Sequence, residues 1–164
     1  MKLKNTTEIP NDKIREVIQF VRPSGIKNFD VMVRNGEYLA GRAYTQGSGY
    51  HSTASPFVVC RVPKEAKTIE IISGGIFRKQ DTPNYPRKLK TYQIGQLKGR
   101  RYYLADRIEA LVYIMAHELR HIWQGKSKNK AGYFWGSRGR FSEIDTESYA
   151  IHMLRAWRKE KHQL

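Results

Sequence analysis

The chain has 164 residues, 40% of them hydrophobic and 12% aromatic, which is a globular composition, and a charged share of 27% that excludes a polyelectrolyte-like disordered chain. Its one cysteine, Cys60, excludes an intramolecular disulfide framework and a four-cysteine zinc module, so any bound metal must be held by histidines and carboxylates. The formal charge of +15 is uneven, with 13 Lys and Arg against 8 Asp and Glu up to residue 82 and 17 against 7 beyond it, and it draws the chain toward polyanions or acidic substrates.

The opening residues MKLKNTTEIPNDK lack the apolar core of a secretory signal, and no apolar run approaches the length of a membrane span. A cytoplasmic chain with no membrane partner, folded as one domain over 1–164, is therefore expected. In DKIREVIQFV the residues Ile14, Val17, Ile18 and Val21 recur at helical spacing, and RPSG ends the segment, so a helix is predicted over 12–21. From Ile26 to Ser73 β-branched and aromatic runs alternate with turn residues, and Asn35-Gly36 between two such runs signals a hairpin. A small, largely antiparallel sheet follows, completing a helix-plus-sheet portion over 8–73. Cys60, in FVVCRV, reads as a buried strand residue.

GSGYHSTASP, at 47–56, is a Gly/Ser loop, and 74–106 forms a long basic connector with one short strand. Two helices, 107–124 and 143–160, close the chain. Asp106 with Glu109 makes a capping box, Gly125 marks a helix stop, and Ser142 is the expected N-cap of the last helix. The fold class is α+β.

On the first of these helices Ile108, Leu111, Val112, Met115, Leu119 and Ile122 form one apolar stripe. Ala110, Ile114, His117 and His121 lie on another face. His117 and His121 are four residues apart, so their imidazoles leave the same side of the helix and can meet one metal ion. Glu118 lies beside them, within reach of a water activated by that ion. His117-Glu118-Leu119-Arg120-His121 thus satisfies the H-E-x-x-H pattern, with Glu118 as general base.

A catalytic zinc wants a third protein ligand. The extended pattern with a glycine and a third histidine is excluded, because Gln124 and Ser127 occupy those places. On the last helix Glu143 and Glu147 fall about 40° apart, on the apolar face with Ala150 and Leu154, whereas Asp145, Tyr149 and His152 point away. Two carboxylates on a buried stripe need compensation, which a metal and its histidines supply. Glu143 is the preferred third ligand and Glu147 the acceptor of a ligating histidine's ring N–H, with Asp145 as the rival ligand.

HELRH followed by EIDTE resembles the gluzincin zinc metallopeptidases, whose downstream motif is E-x-x-x-D; here the orienting Asp is replaced by Glu147. The short spacing from His121 to Glu143, the small size and ESYAIHML are most similar to minimal single-domain gluzincins, the ImmA/IrrE-like peptidases and minigluzincins. SprT-like proteases use a histidine as third ligand, which has no counterpart here. The resemblance covers 107–155. It implies a zincin-like domain, Zn2+ as cofactor, a protein or peptide substrate, and a sheet before the active helix whose edge strand pairs with an extended peptide.

Between the two closing helices, GKSKNKAGYFWGSRGR carries Lys126, Lys128, Lys130, Arg138 and Arg140 among the aromatics Tyr133, Phe134 and Trp135, and no acid. That mixture suits nucleic acid or an acidic substrate, and equally a solvated loop whose aromatics cap the core. Tyr133, Tyr149 and His51 are oxyanion-stabiliser candidates by residue type. The alternative to a peptidase is a nucleic-acid-associated binding protein on the same fold with a structural metal or none. A third reading has the long loops holding an enzyme latent.

Overall fold

The computed structural model describes residues 1–37, 39–44, 55–64, 69–73, 100–126 and 140–162, and of these only the backbone at 69–73, 100–103, 126, 140–144 and 162. The described elements mix helix and strand: β1 (Leu3–Asn5), α1 (Asn11–Val21), β2 (Asp30–Gly36), β3 (Ala40–Tyr44), β4 (Phe57–Pro63), β5 (Ile69–Ser73), β6 (Arg100–Leu104), α2 (Arg107–Lys126) and α3 (Arg140–His162).

α1 buries the four residues that predict it, Ile14, Val17, Ile18 and Val21. Its last turn closes with the Arg22 N–H on the Ile18 carbonyl at 3.0 Å, and Pro23 and Gly25 end it, Gly25 at a φ of +85° that a side chain would strain.

The first sheet has the order β1-β2-β4-β3. β1 pairs parallel with β2, β2 pairs parallel with β4, and β3 is antiparallel to β4, so the sheet is mixed and mainly parallel, not largely antiparallel. The expected Asn35-Gly36 hairpin does not form: both residues belong to β2, and β4 lies between β2 and β3. Burial explains the order. β4 presents Val58, Cys60 and Val62, all fully buried, and fits a central position, whereas β3 has exposed residues and suits an edge. β1 went unread because three residues are too few to show a period. β5 and β6 form a separate antiparallel ladder, so the expected strand in the connector is β6, and residues 74–99 lie outside the described set.

α2 lies on the inner face of the first sheet, against β3 and β4, with α1 and α3 also packed on it. From Glu109 to Leu119 it is buried all round, where the sequence pattern shows one apolar stripe. The Asp106 carboxylate accepts the Glu109 N–H at 2.9 Å, and Glu109 Oε2 accepts the Ala105 N–H at 2.5 Å, a capping box displaced by one residue on its return bond. The helix runs through Gly125 to Lys126, beyond the expected stop, and α3 starts at Arg140, which puts Ser142 inside the helix instead of at its cap. Gly125 costs about 1 kcal/mol there relative to alanine. The preceding residue, Gln124, is buried and hydrogen-bonded to α3, which holds that turn.

α2 and α3 run antiparallel. Arg120 and Gln124 meet Asp145, Tyr113 and His117 meet Glu147, and Glu109 accepts two bonds from Arg158, at 2.7 and 3.0 Å. Among the described residues no helix is long and apolar enough to cross a membrane.

Candidate metal centre

The site lies where the middle of α2 passes beneath β3 and against α3. His117 is 8% exposed and Glu118 5%, because they sit on the most enclosed part of a core helix. His121, one turn on, is half-buried. The two imidazole centroids are 5.0 Å apart with planes at 71°, as their four-residue spacing requires.

Each histidine has its Nδ1 engaged by a neighbour. His117 Nδ1 is 3.2 Å from Glu147 Oε1, close enough for an ion pair though not aligned as a hydrogen bond. The other oxygen, Oε2, accepts a short hydrogen bond from the Tyr113 hydroxyl, and both Glu147 and Tyr113 are almost wholly buried. His121 Nδ1 is 2.9 Å from Gln124 Oε1, and Gln124 Nε2 donates to Asp145 Oδ2 at 3.0 Å. Because the amide nitrogen faces Asp145, the amide oxygen faces His121, so the imidazole proton sits on Nδ1 and the lone pair on Nε2. The carboxylate beside His117 selects the same tautomer there when the ring is neutral. An acceptor beside Nδ1 of each histidine favours the tautomer whose Nε2 lone pair is open to a metal.

Asp145 does not point away from the core. Arg120 donates to its Oδ2 at 2.7 Å and its Oδ1 at 3.0 Å, while the guanidinium stacks 3.6 Å above the Trp123 ring. Gln124 thus links this rival ligand to His121. Tyr149 is also turned inward: its hydroxyl donates to the Val21 carbonyl on α1 at 2.5 Å, and burial holds its phenol above the ordinary pKa of 10.0. That bond uses its proton on the α1 backbone, which removes Tyr149 from the oxyanion candidates. Both corrections share a cause, since α3 packs against two helices at once. His152 is exposed.

Glu118 points toward the sheet. A Cβ placed on Gly41 of β3 would lie 2.6 Å from Glu118 Cγ and 2.7 Å from its Oε1, so the carboxylate occupies space that only glycine leaves open. His117 Nε2 is 4.0 Å from Glu118 Oε1. Beneath them on β4 the Cys60 thiol is pushed well above its usual pKa, by burial first and then by the negative charge of Glu118.

Among the described residues no set of three His, Cys, Asp or Glu side chains is placed to hold a metal ion. Glu143 lies in the opening turns of α3, and its side chain is outside the described set, as are those of Lys126 and Arg140. His51, Lys128, Lys130, Tyr133 and Arg138 lie outside it altogether. Sequence reasoning passed over Tyr113, Arg120, Gln124 and Gly41. Tyr113 is one turn before His117 and Gln124 three residues after His121, so helical spacing alone marks both as neighbours of the histidines; nothing local marks Gly41.

No known family model, curated protein or solved structure matches this chain.

Proposed function

We propose that the chain is a zinc-dependent metallopeptidase of gluzincin type on a zincin-like fold. The observation that carries this reading is the pairing of both histidines of the H-E-x-x-H motif, through Nδ1, with buried acceptors, His117 with Glu147 and His121 with Gln124. Two solvated histidines at this spacing by chance have no need of such partners, whereas metal ligands are held this way.

In this reading His117 and His121 bind through Nε2 and Glu143 is the third ligand. Zinc, when bound, supplies Lewis-acid polarisation of a carbonyl and acidifies water. Glu118 takes a proton from the attacking water as the new carbon–oxygen bond forms, and returns it to the amide nitrogen as the carbon–nitrogen bond breaks. Gly41 lets that carboxylate approach β3, the last of the described strands in its sheet, along which an extended peptide would add as a strand.

The test is Glu118→Gln with Glu143→Ala beside it, assayed on casein and on a peptide library with zinc content measured in parallel. Glu118→Gln is expected to retain about one zinc per chain and lose hydrolysis, and Glu143→Ala to lose the metal. Undiminished cleavage by Glu118→Gln sinks the mechanism, and a wild-type protein that takes up no zinc sinks the site.

A further inference from the structure

The outer face of the first sheet lies opposite α2. Register fixes its occupants. Arg34 and Arg61 are cross-strand partners, with Ala40 next in that row. Lys4, Met32, Val59 and Arg42 form the second row, and Asp30, Phe57 and Tyr44 the third. The alternate residues Val31, Val33, Val58, Cys60 and Val62 are buried in the core, so these rows face the other way.

Four cations therefore share this face with one described acid. Lys4, Arg34, Arg42 and Arg61 are exposed, while Asp30 is half-buried and accepts the Lys2 backbone N–H at 2.9 Å. The Tyr44 and Phe57 rings stack at 5.9 Å with planes 18° apart, and the Arg42 guanidinium lies 5.8 Å from the Tyr44 centroid. Cations spaced across a sheet, with a cation–aromatic stack along one margin, match the two needs of single-stranded nucleic acid: phosphate neutralisation and a π-surface for bases. A duplex hides its bases and an acidic protein has none, so the aromatics favour the single strand over either.

We propose that this sheet face binds single-stranded nucleic acid, with Arg34, Arg61, Arg42 and Lys4 on the phosphates and Tyr44 and Phe57 beside the bases. The surface is separate from the α2–α3 site and does not depend on the peptidase reading.

The experiment is a fluorescence-anisotropy titration of labelled oligothymidylate, oligouridylate, the corresponding duplex and polyglutamate against the full chain over a salt series. Wild type is expected to bind one or both single strands more tightly than duplex or polyglutamate. The exposed-residue variant Arg34→Gln/Arg61→Gln is expected to bind more weakly, with the slope of log K on log salt shallower by about 1.4. Tyr44→Ala/Phe57→Ala is expected to bind about tenfold more weakly with the slope unchanged. Failure of the wild type to bind a single strand, equal affinity for polyglutamate or duplex, or a loss that follows Lys126→Gln/Lys128→Gln/Lys130→Gln while Arg34→Gln/Arg61→Gln binds like wild type overturns the proposal.

Discussion

Glu147 Oε1 lies 3.2 Å from His117 Nδ1, on a different helix, and the Tyr113 hydroxyl donates to the other oxygen of the same carboxylate. One buried carboxylate thus joins α3 to α2 and sets the direction of a histidine.

Replacing that carboxylate separates the two roles. Glu147→Gln keeps the shape but weakens the pull on the imidazole proton, and zinc affinity is expected to fall about 10- to 100-fold. Glu147→Ala also leaves the Tyr113 hydroxyl without its acceptor and is expected to cost a further 1–3 kcal/mol, roughly, in urea unfolding of the metal-free protein. Competition with a chelating dye reads the first effect; unchanged affinity in Glu147→Gln would falsify the role.

Gly41→Ala tests the placement of Glu118 from the opposite side. The added methyl would sit 2.6 Å from Glu118 Cγ and must displace the carboxylate. A shift of about 1 Å costs on the order of a hundredfold in turnover. The expected result is a fall in kcat with zinc content intact and KM little altered. Normal turnover in a folded Gly41→Ala would show that the close approach has no bearing on the chemistry.

Asp145 and Glu143 are separated by metal analysis. The Asp145 oxygens take two bonds from Arg120 and one from Gln124, so Asp145→Asn weakens both contacts but reaches the proposed ligands through Gln124 and His121, and it is expected to keep its zinc at somewhat lower affinity. Elemental analysis of Asp145→Asn beside Glu143→Ala decides it. Complete metal loss in Asp145→Asn with retention in Glu143→Ala reverses the ligand assignment.

Cys60 makes a pH-dependent prediction. Its folded thiol titrates well above the ordinary value of 9.0, so the associated stability is present in full below that value. It is lost as pH rises toward the folded pKa, because only the unfolded thiol ionises in that window. Above pH 9 the wild type is expected to lose up to about 1.4 kcal/mol per pH unit more than Cys60→Ala. Urea midpoints of the two proteins across the alkaline range check this, and parallel curves would refute it. The same burial keeps the native thiol unreactive toward alkylating agents.

What the sequence determined by itself is what repeats within one element. The 3.6-residue period set α1 and the bodies of α2 and α3, and the four-residue spacing brought the His117 and His121 rings to 5.0 Å. It also placed Glu147 inward, because a helix face is a local property. Only the tertiary structure decided which strands are neighbours: β2 and β4, which have valines to bury, take the two inner positions side by side, and β3, with none fully buried, lies outside them. It likewise decided where Asp145 and Tyr149 turn, because that depends on Arg120, 25 residues before Asp145, and on Val21, 128 residues before Tyr149. A partner at such a distance is chosen by the packing of whole elements, and neighbouring residues in the chain carry no trace of it.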